Sequence, residues 1–315
     1  MTVGVCVVGS GGIASAHADA LARVNQVRRR WVVSRRLEAA ERFRGEWGFE
    51  RSGVALDDAL ADEHVDVVVI TSPNQVHAAQ AAQALEAGKH VVVEIPAALS
   101  VADCENLGAL ARSVGRRLFA CHTMRSFPAI RELRARVRAG SIDISQVIGH
   151  FAIPRRSNEG WSGTRSWIDN ILWHHACHQV DASLWVLGLE TGEDVGACLG
   201  RAHPDFGMTM DLSLTFRSTS RQLVTHTLTY NTSEVTWELR FVTDQGLFTF
   251  LNGELLDQSG RTVGPVVSVR DVSRQDDAIF AALDSGLPSE FDLDQVMPAM
   301  RVIDLAERST KTSDD

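Results

Sequence analysis

The chain has 315 residues, 44% of them hydrophobic and 23% charged, which is too long for one ordinary domain and enough for two that each bury a core. Its 31 basic against 40 acidic residues give a net charge of −9 with no Lys/Arg block, so a nucleic-acid footprint is excluded and a small-molecule partner is expected. No apolar stretch of ~18 residues and no basic-then-apolar leader occurs, so neither membrane nor export is indicated and a cytoplasmic location is expected.

Along the first ~120 residues, apolar runs alternate with helical patterns: VGVCVVG, a helix from about Ala14, WVVS, a helix from Leu37, DVVVIT, a helix from Gln75, HVVVE, a helix from Val101, and LFAC. Such βα alternation with short connections predicts a doubly wound parallel sheet, an α/β domain over residues 1–121. Helical stretches follow at 128–139 and 169–187. From Met208 to Leu256 polar and apolar residues alternate between tight turn signals, as in an open, mostly antiparallel sheet with one face covered. A second, α+β domain over 122–315 is therefore expected, and its amphipathic last helix, about 293–308, can pack back on the first domain. The cysteines Cys6, Cys104, Cys121, Cys177 and Cys198 have no paired spacing, so we read them as reduced thiols rather than a disulfide or zinc framework.

Four segments of the first domain carry chemistry. Gly9-Ser10-Gly11-Gly12-Ile13-Ala14 is a G-x-G-x-x-A between a strand and a helix, where glycines allow a tight turn and close approach of a pyrophosphate to free helix N–H groups. The second strand ends at Ser34-Arg35-Arg36, without the carboxylate that grips the ribose of NAD; a hydroxyl and two guanidiniums suit the 2′-phosphate of NADP, with NAD possible, although arginines there are also ordinary solvated helix-start residues. Thr71-Ser72-Pro73-Asn74, with His77 a turn later, offers small polar groups beside the expected nicotinamide path, and each is equally a helix-cap type. Glu94-Ile95-Pro96 ends a strand at the carboxyl edge of the sheet, and Ile95 can neither give nor take a proton.

The turn near residue 9, TSPNQVH, AGKHVVVEIP and the HxxD of His178 to Asp181 together resemble the glucose-fructose oxidoreductase / inositol dehydrogenase / MocA family over nearly the whole chain. Most members carry lysine at the centre of the tripeptide and aspartate four residues before the histidine; here Ile95 and His174 stand there. The EIP tripeptide, the stretch Gly163 to Asp181 and His122 to Pro128 are similar to a branch that oxidises a carboxylated ring-cleavage semialdehyde or its cyclic hemiacetal. The resemblance implies a Rossmann domain with Glu94, Ile95 and Pro96 along the cofactor. It further implies His122, Arg125, Arg165 and Trp167 at the substrate, and a homodimer or homotetramer formed through the second sheet.

With lysine absent, the base must come from elsewhere. His174 and His178 stand at i and i+4, and His175 and His178 at i and i+3, so helical spacing lets the imidazoles converge, and a neutral imidazole accepts a proton as hydride leaves carbon. We expect His178, assisted by His174 or His175, to act as base, with Asp181 orienting a ring. Histidines at i and i+4 also chelate zinc, but no glutamate lies between them and no thiolate pair supports them, so no metal is expected. Arg125, Arg155, Arg156 and Arg165 can pair with substrate carboxylates, and Trp161, Trp167 and Trp173 can wall or floor the pocket. The reading is an NADP-dependent dehydrogenase. A related dehydrogenase of a sugar or other hydroxy compound, and a non-catalytic NADP-binding regulator, are its rivals.

Overall fold

A computed structural model describes residues 2–24, 26–157, 159–160, 163–164 and 170–312, without the side chains of 159, 160, 163, 164 and 312. Arg165 and Trp167 of the expected substrate contacts, and Trp161, lie outside the described residues.

The first unit begins with β1 (Val3–Val8), α1 (Gly12–Arg23), β2 (Val27–Val33), α2 (Leu37–Trp47), β3 (Arg51–Gly53), α3 (Leu56–Leu60), β4 (Val67–Ile70), α4 (His77–Glu86), β5 (His90–Val93), α5 (Val101–Ser113) and β6 (Leu118–Ala120). Its six strands are parallel in the order β3-β2-β1-β4-β5-β6. Continuous apolar runs such as VVVI of β4 are buried at every position because helices cover both faces. The order reverses between β1 and β4, and the carboxyl edge at that point is where open α/β sheets take their ligands.

The second unit contains α6 (Pro128–Arg138), β7 (Ile144–Ala152), the short pair β8 (Glu159–Gly160) and β9 (Gly163–Thr164), α7 (Cys177–Leu187), β10 (Glu193–Leu199), β11 (Asp211–Arg217), β12 (Leu223–Thr229), β13 (Thr236–Thr243), β14 (Gly246–Leu251) and β15 (Glu254–Leu256). Seven strands form one sheet in the order β10-β11-β12-β7-β13-β14-β15, antiparallel throughout except where β12 meets β7. Alternation sorts the faces: Val147, Phe151, Val224, Leu228, Leu239 and Phe241 are buried, while Ile148, Leu223 and Leu247 on the other face are exposed. Gly149 pairs with His226 across β7 and β12, and a Cβ at Gly149 would lie 2.2 Å from His226 Nδ1, so the glycine makes room for a buried ring.

Two features differ from the expectation. Residues 270–296, with α8 (Ser273–Ser285), group with the chain up to 122, whereas 123–269 and the chain from 297 form the other unit. The reason is packing: Ile279, Phe280 and Phe291 join the core made by Val5, Val7, Ala14, Ala18 and Leu21, a long-range association that local periodicity does not report. Arg117 and Arg112 pair with Asp292 and Asp294 of the same unit, the latter in the first turn of the last helix, α9 (Leu293–Thr312). Secondly, the segment before α7 is not a uniform α-helix: Ile171–Ala176 is a π-helical turn, capped by Asn170, whose side-chain oxygen accepts from the N–H groups of Leu172 and Trp173 at 3.1 Å. The wider turn shifts the phase of the histidines, and such turns concentrate at functional sites.

Candidate functional site

The turn after β1 is built for close approach. Gly9 has φ +127°, and a Cβ there would lie 2.4 Å from Thr71 Oγ1 and 2.9 Å from its carbonyl oxygen, so only glycine fits. Thr71 Oγ1 donates to the Val8 carbonyl at 2.8 Å, which ties the ends of β1 and β4 together. Gly11 precedes α1 in extended conformation, and neither a side-chain cap nor an acidic residue occupies the first turn; the amides of Gly12, Ile13 and Ala14 are thus presented to an anion. The hydroxyls of Ser10 and Ser34 are 2.8 Å apart and join this turn to the end of β2, beyond which Arg35 and Arg36 are exposed.

Across the switch point the residues after β4 and β5 divide into two kinds. Asn74 is buried, yet neither polar atom of its carboxamide has a hydrogen-bond partner among the described residues. A buried amide is costly unless paired, so Asn74 fits a ligand's amide or hydroxyl groups. The remaining polar groups are engaged within the protein. Ser72 Oγ donates to Gln80 Oε1, while His77, expected on the cofactor path, places Nδ1 2.8 Å from the Pro96 carbonyl and Nε2 2.8 Å from the Ser72 carbonyl. His77 thus stitches two loops together at the carboxyl edge. Ile95 is buried, and Glu94, also expected on the cofactor, has its carboxylate engaged by a histidine.

That histidine is His17 of α1, fully buried, with Nε2 2.9 Å from Glu94 Oε1 and Nδ1 2.8 Å from Asp276 Oδ2. Burial alone pulls the ring toward its neutral form, but the Asp276 charge and hydrogen bonding with Asp276, Cys121 and Glu94 overcome it, so the pKa of His17 stands well above 6.5. Ligating atoms of His17, Glu94 and Cys121 lie within 4.8 Å of one another. Both ring nitrogens are already engaged, and burial raises the Cys121 pKa and keeps the sulfur a thiol, so the arrangement is a hydrogen-bonded cluster rather than a set of metal donors. Sequence reading missed it, though a signal existed: His17 shares the apolar stripe Ala14, Ala18, Leu21, and Asp276 stands on the face of Ile279 and Phe280.

In the second unit, the three histidines separate by environment. His174 and His175 stack with centroids 4.0 Å apart, His175 stacks in turn on Phe151 at 5.1 Å, and His175 Nδ1 lies 2.7 Å from the Tyr230 hydroxyl. Burial, then the charges of His174, Arg155 and His178, hold the His175 pKa well below 6.5. His175 is therefore held neutral, buried and engaged by Tyr230, while His174 and His178 keep partial exposure. His178, partly buried, meets Trp237 edge-on at 5.1 Å. Asp181 does not serve as a free orienting carboxylate: Arg125 donates to it through Nε at 2.8 Å and Nη2 at 2.6 Å, both residues buried. The same pair engages Nε and Nη2 of Arg125, the residue expected at a substrate carboxylate. His122 is likewise buried, at the end of β6. Trp173 is fully buried, hence floor rather than wall.

Residues 3–122 match the oxidoreductase family with an NAD-binding Rossmann fold (GFO/IDH/MocA), and residues 128–269 match the C-terminal region of bacterial oxidoreductases. The chain is 31% identical over 304 residues to the 4-carboxy-2-hydroxymuconate-6-semialdehyde dehydrogenase of Sphingobium sp. (strain NBRC 103272 / SYK-6), covering 95% of this chain and 96% of that one. Inositol 2-dehydrogenase 1 of Saccharopolyspora erythraea is 36% identical over 155 residues, 45% of this chain and 43% of the relative. Among solved structures, levoglucosan dehydrogenase in complex with NADH superposes with a TM-score of 0.87 at 18% identity, covering 99% of this chain and 98% of that one, a likeness of fold alone. With a glycine turn that presents free helix amides to an anion, a buried amide across the switch point that has no partner among the described residues, and a full-length relative, the chain belongs to the GFO/IDH/MocA family of nicotinamide-dependent oxidoreductases.

Proposed function

We propose that the protein is an NADP-dependent dehydrogenase of a carboxylated ring-cleavage semialdehyde, oxidising the cyclic hemiacetal of 4-carboxy-2-hydroxymuconate 6-semialdehyde to 2-pyrone-4,6-dicarboxylate. The observation that carries the reading is the 31% identity over 95% of this chain to the semialdehyde dehydrogenase, with the Arg155 guanidinium acting on His175 in the histidine segment while the carboxylate of Asp181 is bound to Arg125. A guanidinium beside the expected base suits a substrate bearing carboxylates better than a neutral sugar. The residues of the first unit fit a nicotinamide dinucleotide: the α1 amides would hold the pyrophosphate, Ser34, Arg35 and Arg36 the 2′-phosphate, and Asn74 the nicotinamide half. When bound, that cofactor accepts a hydride from the hemiacetal carbon. His178 takes the proton of the hemiacetal hydroxyl as the C–O bond becomes a carbonyl, assisted by His174 four residues before it. Arg155 binds a carboxylate and sets the ring's orientation.

Purified protein incubated with the semialdehyde and either cofactor tests the reading. Reduced cofactor should accumulate with kcat/KM at least about tenfold higher for NADP+ than for NAD+, and Arg35→Ala should erase most of that margin through loss of one charge-assisted contact. Turnover of sugars with none of the semialdehyde overturns the substrate assignment. Equal use of both cofactors overturns the preference.

A further inference from the structure

The Asp276–His17–Glu94 cluster lies outside the chemistry assigned above, and its geometry says what it does. Three distant parts of the first unit meet at one ring: α1, which follows the glycine turn; the strand-end tripeptide after β5; and α8, 259 residues from His17 along the chain. Inside a protein, an imidazole facing a carboxylate oxygen with each nitrogen donates to both, and such charge-assisted bonds are short and directional. His17 and Asp276 are sealed from solvent, whereas the Glu94 side chain retains 14% of its exposure, so one end of the chain of bonds is buried and the other opens at the carboxyl edge of the sheet.

We propose that His17 is a positioning residue, anchored by Asp276, that fixes the Glu94 carboxylate and with it the strand-end tripeptide for the nicotinamide half of the dinucleotide. The reading goes beyond the substrate assignment and does not depend on it. Two observations place the effect at that half. Glu94 follows β5, on the opposite side of the β1/β4 switch point from β2, where Ser34 to Arg36 take the adenosine end. The other flank of the tripeptide is held too, because His77 bonds the Pro96 carbonyl and the Ser72 carbonyl beside Asn74. A segment clamped at both flanks is ordered before ligand arrives, so binding does not bear the cost of ordering it. Cys121, whose thiol completes the cluster, and the three partners Asp276, His17 and Glu94 are the titratable groups that face one another there.

The test compares whole cofactor with a fragment lacking nicotinamide. NADPH and 2′-phospho-ADP-ribose, with NADH and ADP-ribose in parallel so that cofactor preference does not enter, are titrated against wild type and the double variant His17→Leu/Asp276→Ala, which removes ring and anchor together and leaves the Glu94 carboxylate, partly open to solvent, without its His17 partner. Kd for the whole dinucleotide should rise about tenfold, the scale of a lost charge-assisted bond, while Kd for the fragment moves by less than about twofold. Glu94→Ala should give the same selective loss in the wild type and none in the double variant, because both changes act through one carboxylate. Equal weakening of dinucleotide and fragment makes the cluster a fold-stabilising element only and overturns the proposal, as does a full additional effect of Glu94→Ala. If the double variant does not fold, Asp276→Asn carries the test: a neutral anchor replaces the charge-assisted bond that holds the ring, and an unchanged ratio of the two Kd values overturns the proposal.

Discussion

His17 and His175 are the same residue type at nearly the same burial, 0% and 6% exposed, and they are held in opposite states of charge. Burial acts on both in the same direction, against the cation. The neighbours decide the outcome. His17 lies between two carboxylates and is kept as an imidazolium; His175 is stacked between His174 and Phe151, beside Arg155 and His178, with the Tyr230 hydroxyl on Nδ1, and is kept neutral. A buried histidine thus has no fixed role, and which one can exchange a proton depends on what surrounds it. Only His174 and His178, partly buried, combine access with an imidazole in the cluster, and His175 is the platform beneath them.

The largest expected effect separates platform from base. His178→Asn should lower single-turnover hydride transfer by roughly 10²–10⁴-fold without changing cofactor Kd, the usual cost of losing a general base. His175→Asn should leave the pH dependence of the rate in place and lower its size far less. If His178→Asn and His174→Asn both keep the wild-type rate from pH 6 to pH 10, proton removal does not run through this segment and both rings are packing.

A second contrast lies one turn further along α7. Arg125 and Asp181 form a buried, two-point ion pair, in which loss of one partner strands a charge while loss of both does not. Asp181→Leu alone should destabilise the second unit by about 3–5 kcal/mol, and Arg125→Met added to it should recover most of the loss, measured by denaturant unfolding. Equal instability of single and double variants would mean that the pair is needed for more than charge balance.

How far the sequence foretold these sites follows from range. Elements that repeat with a period, and motifs whose parts are neighbours in the chain, were legible: the parallel strands, the glycine turn, the Ser34–Arg36 end of β2 and the alternation of β11 to β14. What escaped depends on residues far apart. Asp276 meets His17, which in turn holds the Glu94 expected on the cofactor, Asp181 meets Arg125, and Tyr230 meets His175, and no spacing announces any of these partners. The π-helical turn at Ile171–Ala176 escaped for a different reason, since one residue of phase slip in an apolar, histidine-rich segment leaves the hydrophobic pattern readable as an ordinary helix.

The smallest effect is read in stability against pH, where the charged and the neutral buried rings pull on opposite sides of neutrality. The folded pKa of His17 is raised above 6.5, so its stabilisation is complete below that pH and is lost as pH rises through the folded value. His226, buried against Gly149 with Ser183 Oγ 3.2 Å from its Nε2, is pushed down to about 3 by burial. A depressed histidine works the other way: the unfolded chain binds a proton below 6.5 that the folded chain refuses, so stability is full above 6.5 and is lost as pH falls toward about 3. His175 adds to the same acid limb. Thermal unfolding should therefore be most favourable to the native state near pH 6.5, with a loss on the order of 2 kcal/mol between pH 6.5 and pH 5 from His226 alone, before ordinary carboxylates titrate. His226→Leu should flatten the acid limb and leave the alkaline one, and His17→Leu/Asp276→Ala should do the reverse. An acid limb unchanged in His226→Leu would show that the ring is already charged in the folded protein, and with it the contrast between the two kinds of buried histidine would fail at its simplest member.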